Sequence, residues 1–229
     1  MQRLKLFTLT AIIATMLVAC KSSPEGDEAK TTDAKEVETA TAGVTMNINT
    51  IESKLEWIGT KVTSHHNGTV NIKSGQLMAK GNELTGGYFV IDMPTLISVK
   101  DDPQSNSKLT GHLKSPDFFD VEKYPEAKFE ITSVKPFSGS VVDENTVGQE
   151  EINEYKVTDP NVIVNGNLTI KDVTKNIEFP AKVNITGNGA TALAKFNINR
   201  KDWGVNYTGA PDNLVRDEIW FGVSIAANK

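Results

Sequence analysis

Three histidines, one cysteine and a basic pair are the side chains of this 229-residue chain best suited to chemistry. His65 and His66 stand together before Asn67-Gly68, and His112 lies between Gly111 and Leu113. Adjacent side chains on a strand point to opposite faces, so His65 and His66 would ligate one metal only from a loop. They read otherwise as polar rim and turn residues, and no metal site is assigned. Ser64 beside them lacks the glycine-framed elbow of a hydrolase nucleophile. The acidic residues are scattered, with no pair placed for opposed protonation states. Arg200-Lys201-Asp202-Trp203 reads as a strand-end turn with Trp203 covering one end of the fold; the alternative is a clamp on an anionic head group by Arg200 and Lys201. No catalytic constellation emerges.

The single cysteine, Cys20, excludes an intrachain disulfide and a multi-cysteine zinc site. Arg3 and Lys5 precede an apolar run from Leu6 to Val18 that is short for a membrane span. Leu17-Val18-Ala19-Cys20 then resembles a bacterial lipobox, in which the sulfur takes a diacylglycerol and the cysteine becomes the new N-terminus. The expected organisation is a signal peptide over 1–19, an acylated Cys20 with a flexible tether over 20–43, and one domain over 44–229. Lys21 to Gly43 has no aromatic residue and only Val37 as a large aliphatic, too little apolar surface to offset ordering. The location implied is the bacterial cell envelope, with the protein held on a membrane and facing periplasm or cell surface.

The formal net charge is -5, from 24 basic and 29 acidic residues. Without Met1 to Ala19, which holds Arg3 and Lys5 and no acid, 22 basic residues face 29 acidic ones. Such a surface argues against nucleic acid as a partner. A homodimer stays open.

The elements that must position these residues are nearly all strands. Lys54 to Val62, Thr69 to Lys73 and Gln76 to Lys80 about a Ser74-Gly75 turn, and Glu83 to Met93 come first. Ala127 to Val134, Val162 to Ile170, Lys175 to Ile185, Thr191 to Asn199 and Glu218 to Ala226 follow. Ile177, Phe179, Ala181, Val183 and Ile185 alternate without a miss, as do Ala192, Ala194, Phe196 and Ile198. Such long strands joined by short turns predict an all-β fold, a closed antiparallel up-and-down barrel of about eight strands, because closure removes exposed edges.

One segment between the two β-rich halves is written differently, Lys108 to Phe129, KLTGHLKSPDFFDVEKYPEAKF. Leu109 and Leu113 would share one face of a short helix entered from Ser105, Asn106 or Ser107. Ser115 would cap a second turn starting at Pro116, so that helical structure spans about 105–120, with Phe118 and Phe119 as an apolar plug.

This segment resembles the signature of the YceI-like family of lipid- and polyisoprenoid-binding proteins. Gly86 to Met93, Gly166 to Lys175 and Phe196 to Val205 resemble further family blocks, in the family's order. Asp172 stands where the family commonly has glycine, and the acidic loop from Pro136 to Glu154 is longer than usual. The resemblance implies a lipocalin-like barrel holding an isoprenoid, quinone or similar lipid, with no other cofactor. The residues that would line the lumen are Trp57, Val90, Phe129, Ile131, Leu168, Phe179, Phe196, Ile198, Phe221 and Val223. Periodicity alone allows these to pack on one another instead; the resemblance tips the balance towards a cavity. It also favours head-group contact at the mouth, but only for the Ser64-His65-His66-Asn67-Gly68 turn; Arg200 is the candidate rim cation of the separate clamp reading. Two alternatives remain from the residues: a head-group-modifying enzyme using His65 or His66 with Arg200, and a structural envelope module whose barrel is filled and whose acidic loop binds a partner.

Overall fold

A computed structural model describes residues 28–37, 43–61, 64–139, 157, 159–211 and 213–229. In chain order the strands are β1 (Lys30–Asp33), β2 (Val44–Ile48), β3 (Lys54–Lys61), β4 (His65–Lys80) and β5 (Glu83–Ser98). The helix α1 (Pro103–Lys114) follows, then β6 (Glu126–Pro136), β7 (Val162–Ile170), β8 (Val173–Ile185), β9 (Gly189–Asn199), β10 (Gly209–Ala210) and β11 (Asn213–Asn228). Strands β3 to β9 pair antiparallel in sequence order, β9 pairs β11, and β11 returns to β3. That circuit is a closed eight-stranded barrel, as the alternation predicts. β2 and β3 share one slot between β4 and β11. The break between them is a turn in which the Asn49 side chain accepts from the N–H groups of Ile51 and Glu52 at 3.1 and 3.3 Å.

Tight hairpins hold the register. Between β7 and β8, Lys171 and Asp172 both take left-handed backbone angles, φ 50° and 60°. Two such residues make the turn whose twist matches that of the flanking strands, and aspartate adopts this geometry more readily than most residues. The Ser74-Gly75 pair, by contrast, is not a turn: β4 runs unbroken from His65 to Lys80, with register shifts between Ile72 and Ser74 and at two other places. Gly75 is a packing glycine, since a Cβ there would stand 2.5 Å from the Tyr88 carbonyl oxygen and 2.7 Å from Ile48 Cδ1.

α1 starts earlier than its serines suggest. Asp102 is the N-cap, accepting from the N–H groups of Gln104 and Ser105 at 3.0 and 3.1 Å, and Pro103 opens the helix where its missing N–H costs nothing. The Ser115 hydroxyl donates back to the His112 carbonyl at 2.8 Å, so it closes this helix rather than starting another, and Ser115 to Asp120 form turns. α1 and the turn Arg200–Trp203 lie at the same end of the barrel, called here the helix end. Trp203 is fully buried there, its indole N–H donating to the Leu168 carbonyl at 2.9 Å.

The tether expected over 20–43 is not uniformly free. β1 pairs with β8 from Lys30↔Glu178 to Asp33↔Lys175, and the Ala29 N–H donates to the Asn197 carbonyl on β9 at 2.9 Å. Further on, the Asn167 side chain accepts from the Lys35 N–H at 3.1 Å and donates to the Lys35 carbonyl at 2.7 Å. Main-chain hydrogen bonds hold this stretch, which is why composition does not reveal it. Cys20 and the stretch expected to be a signal peptide, 1–19, lie outside the described residues, as does most of the acidic loop, 140–156.

Candidate ligand cavity

Six strands bring aromatic rings to the lumen wall: Phe89 and Tyr88 (β5), Phe129 (β6), Phe179 (β8), Phe196 (β9), Phe221 (β11) and Trp57 (β3). The ring centroids of Phe89–Phe129, Phe129–Phe179, Phe179–Phe196 and Phe196–Phe221 are 5.4, 5.7, 4.2 and 5.9 Å apart. Phe221 is the cross-strand partner of Trp57. The remaining strands, β4 and β7, contribute glycines to this belt. Gly68 pairs with Trp57, and a Cβ on it would lie 2.6 Å from Trp57 Cζ2. A Cβ on Gly166 would fall inside the Phe129 ring's contact envelope. Each glycine therefore receives a neighbour's ring flat against the wall, and the rings circle the axis instead of meeting on it.

What they surround is an open apolar cavity. Its volume is about 170 Å³; a cavity of about 150 Å³ takes one benzene ring, so roughly half a dozen carbons fit before the wall has to move. Leu77, Leu84, Val183 and Ile225 extend the wall away from the helix, and Leu109, Leu113, Phe118 and Phe119 extend it at the helix end.

Of the ten residues expected on the wall, Trp57, Phe129, Ile131, Leu168, Phe179, Phe196, Phe221 and Val223 lie on it. Val90 does not. Phe89 and Ile91 are the inward pair of β5, which turns Val90 to the opposite face. Ile198 shares the inward parity of Phe196 but is enclosed in the core, 1% exposed, where the Arg200–Trp203 turn closes the barrel. Tyr88 and Phe89 are wall aromatics that sequence reasoning passed over, although the alternation of Phe89, Ile91 and Met93 would have revealed Phe89.

Ionisable groups on the wall gather at the helix end: Lys61, His66, Arg200, Arg216 and Glu218. The last two belong to an irregularity in β11, where Val215 pairs with Lys61 but Ile219 with Gly59, so four steps on one strand match two on the other. Nothing in local sequence marks that bulge. The histidine pair lies on β4 rather than in a turn, and its members diverge. His66 reaches the cavity, 20% exposed, with Nδ1 2.9 Å from Asp101 Oδ2. His65 turns away and meets Lys100, whose Nζ donates to its carbonyl at 2.9 Å and lies 3.2 Å from its Nδ1.

Arg200 borders the cavity, yet its guanidinium is committed elsewhere. Nε donates to the Arg216 carbonyl at 3.0 Å, one terminal nitrogen to the Val205 carbonyl, and the other to the Val215 carbonyl at 3.4 Å and Asp217 Oδ1 at 3.2 Å. Burial pushes this group below its ordinary pKa, and the nearby Asp217 and Glu218 offset only part of that. Asp217 also takes Lys201 Nζ at 2.8 Å. The expected rim cation is thus the staple that fixes the start of β11 to the turn after β9; Lys61 and Arg216 are the other cations on the cavity wall.

A closed eight-stranded antiparallel barrel with an open apolar lumen and a helix at one end defines a lipocalin-like barrel. Residues 46–227 match the YceI-like domain, and the chain belongs to that family. A UPF0312 protein of Pseudomonas putida is 34% identical over 116 residues, 47% of this chain and 49% of the relative. One from Pseudomonas syringae pv. tomato is 32% identical over 48% of this chain and 50% of its own length. The chain spans about half the length of the curated relatives it matches. Among solved structures, Burkholderia cenocepacia BcnA superposes with a TM-score of 0.57 at 17% identity, covering 79% of this chain and 99% of that one. A polyisoprenoid-binding domain from Saccharophagus degradans superposes with a TM-score of 0.56 at 11% identity, covering 82% and 99%. At such identities the likeness establishes the fold.

Proposed function

We propose that the protein is an envelope lipoprotein, acylated at Cys20, that encloses a long-chain isoprenoid, quinone or comparable lipid for carriage, storage or protection. The observation that carries this reading is the lumen itself: a belt of rings held against the wall by Gly68 and Gly166 around a space with an apolar lining. Membership of the YceI-like family and the polyisoprenoid-binding description of one structural relative support the same class of ligand. Half a dozen buried carbons at about 0.8 kcal/mol each give roughly 5 kcal/mol of gross hydrophobic stabilisation. A membrane offers the same carbons nearly the same environment, so net transfer is close to neutral, as an exchanger requires. Lys61, His66, Arg216 and Glu218 would meet the polar head of the guest. Arg200, the cation that head-group chemistry would need beside His66, is committed to main-chain carbonyls and Asp217, so a binding role suits the site better than head-group chemistry.

The test is mass spectrometry on the protein made in a lipid-synthesising bacterial host and purified without detergent. About one long-chain lipid per chain is the expected result, and denaturation should leave a diacylglycerol increment on Cys20. An empty lumen in protein from that host overturns the carrier reading.

A further inference from the structure

Two junctions of the barrel, β5–β6 and β8–β9, are backbone-paired over only five positions each. At β8–β9 the pairing runs from Ala181↔Ala194 to Ile185↔Ala190 and stops. Towards the helix end the two strands part, and the gap holds the segment Glu28–Asp33, joined to β8 by β1 and to β9 through Glu28↔Asn197 and Ala29. On the lumen side the Phe179–Phe196 stack, 4.2 Å between centroids, spans the same gap. The wall there is therefore a short segment outside and two rings inside.

That segment is held by main-chain pairing and a surface ion pair, Lys175 Nζ to Asp33 Oδ1 at 2.9 Å, with little buried surface. Ala29 is the one buried residue in it, and Lys30, Thr32 and Asp33 are exposed. The adjoining outer face of β7 and β8 is polar, made of Asn165, Asn167 and Asn176, with Asn165 Nδ2 and Asn176 Oδ1 lacking a partner among the described residues. A permanent stave would be sealed by apolar side chains. Amides can instead be satisfied by water when the cover leaves, and short, exposed strands with little buried surface are the first to open.

We infer that Glu28–Asp33 is a removable stave, and that an apolar chain passes sideways between β8 and β9 when the stave lifts and the Phe179 and Phe196 rings swing apart. The passage rests on the reading of the lumen as a lipid site. It suits a guest drawn side-on from a bilayer, because the chain need not leave the apolar phase end-first.

Lys30 and Glu178 are directly opposed. In the full chain carrying Cys20→Ser, Lys30→Cys and Glu178→Cys, a disulfide would fasten the stave. Transfer of an NBD-tagged geranylgeraniol from phosphatidylcholine vesicles should then slow about tenfold or more, with the bound amount at equilibrium unchanged, and recover on reduction. Equal rates in the linked and reduced forms overturn the passage. No uptake by the reduced form and the unmodified chain overturns the lipid reading and the passage with it. Amide hydrogen exchange on the unmodified chain judges the stave separately: amides shared by 30–33 and 175–178 should exchange about a hundredfold faster than those of Ala181–Ile185. Equal protection of the two sets overturns the stave as a moving part.

Discussion

Phenylalanine does opposite jobs in the middle of this barrel and at its helix end. In the middle, Phe129 lies against Gly166 and leaves the axis open. At the helix end, Phe118 packs inward with Tyr207 and His112, at centroid distances of 5.0 and 5.1 Å, while Trp203 fills the space beneath. Aromatic content therefore does not decide whether a barrel is hollow. In the belt two glycines on neighbouring strands make the room, Gly166 for the Phe129 ring and Gly68 for the Trp57 ring.

The contrast can be broken most severely at the closed end. Trp203→Ala should cost about 3–5 kcal/mol, read as a lowered denaturation midpoint, because it empties a fully buried site and orphans the Leu168 carbonyl. A smaller effect is expected in the belt. Gly166→Val should cost about 1–3 kcal/mol and sharply reduce bound lipid by driving the Phe129 ring towards the axis. Adding Phe129→Ala should restore part of both, and strictly additive losses would show that the glycine and the ring do not act as a pair. The smallest effect concerns the helix over the end. Hydrogen bonds from Ser105, and secondarily from the Gln104 N–H, hold the Asp102 carboxyl below its ordinary pKa. A depressed folded-state value means the cap's contribution is complete above the unfolded value and disappears as pH falls through the folded one. The Gln104 and Ser105 amide resonances should therefore shift in that acid window, ahead of any change in the belt.

Period-two alternation made most of the barrel legible, since Ile177 to Ile185 and Ala192 to Ile198 face as they read. The misreadings share one cause. Ser74-Gly75 has the composition of a turn, but Gly75 is required by Tyr88 and Ile48, residues far along the chain. Arg200 has the composition of a rim cation, but three carbonyls contributed by Val205, Val215 and Arg216 claim it. Whether the lumen is filled or hollow depends on what lies beside each ring, such as Gly68 beside Trp57, and local periodicity does not carry cross-strand partners. Composition likewise treats Lys21 to Gly43 as one polar run, although Lys30–Asp33 finds a strand edge to pair with.

The docked segment at β8 also sets the length of a leash. Seven residues separate Cys20 from Glu28, a reach of about 25 Å at full extension. If Cys20 is the anchor, the barrel is moored by its β8–β9 flank and keeps that side towards the bilayer. Lifting the segment would slacken the mooring at the moment the flank opens, so distance from the membrane and access to the lumen would change together.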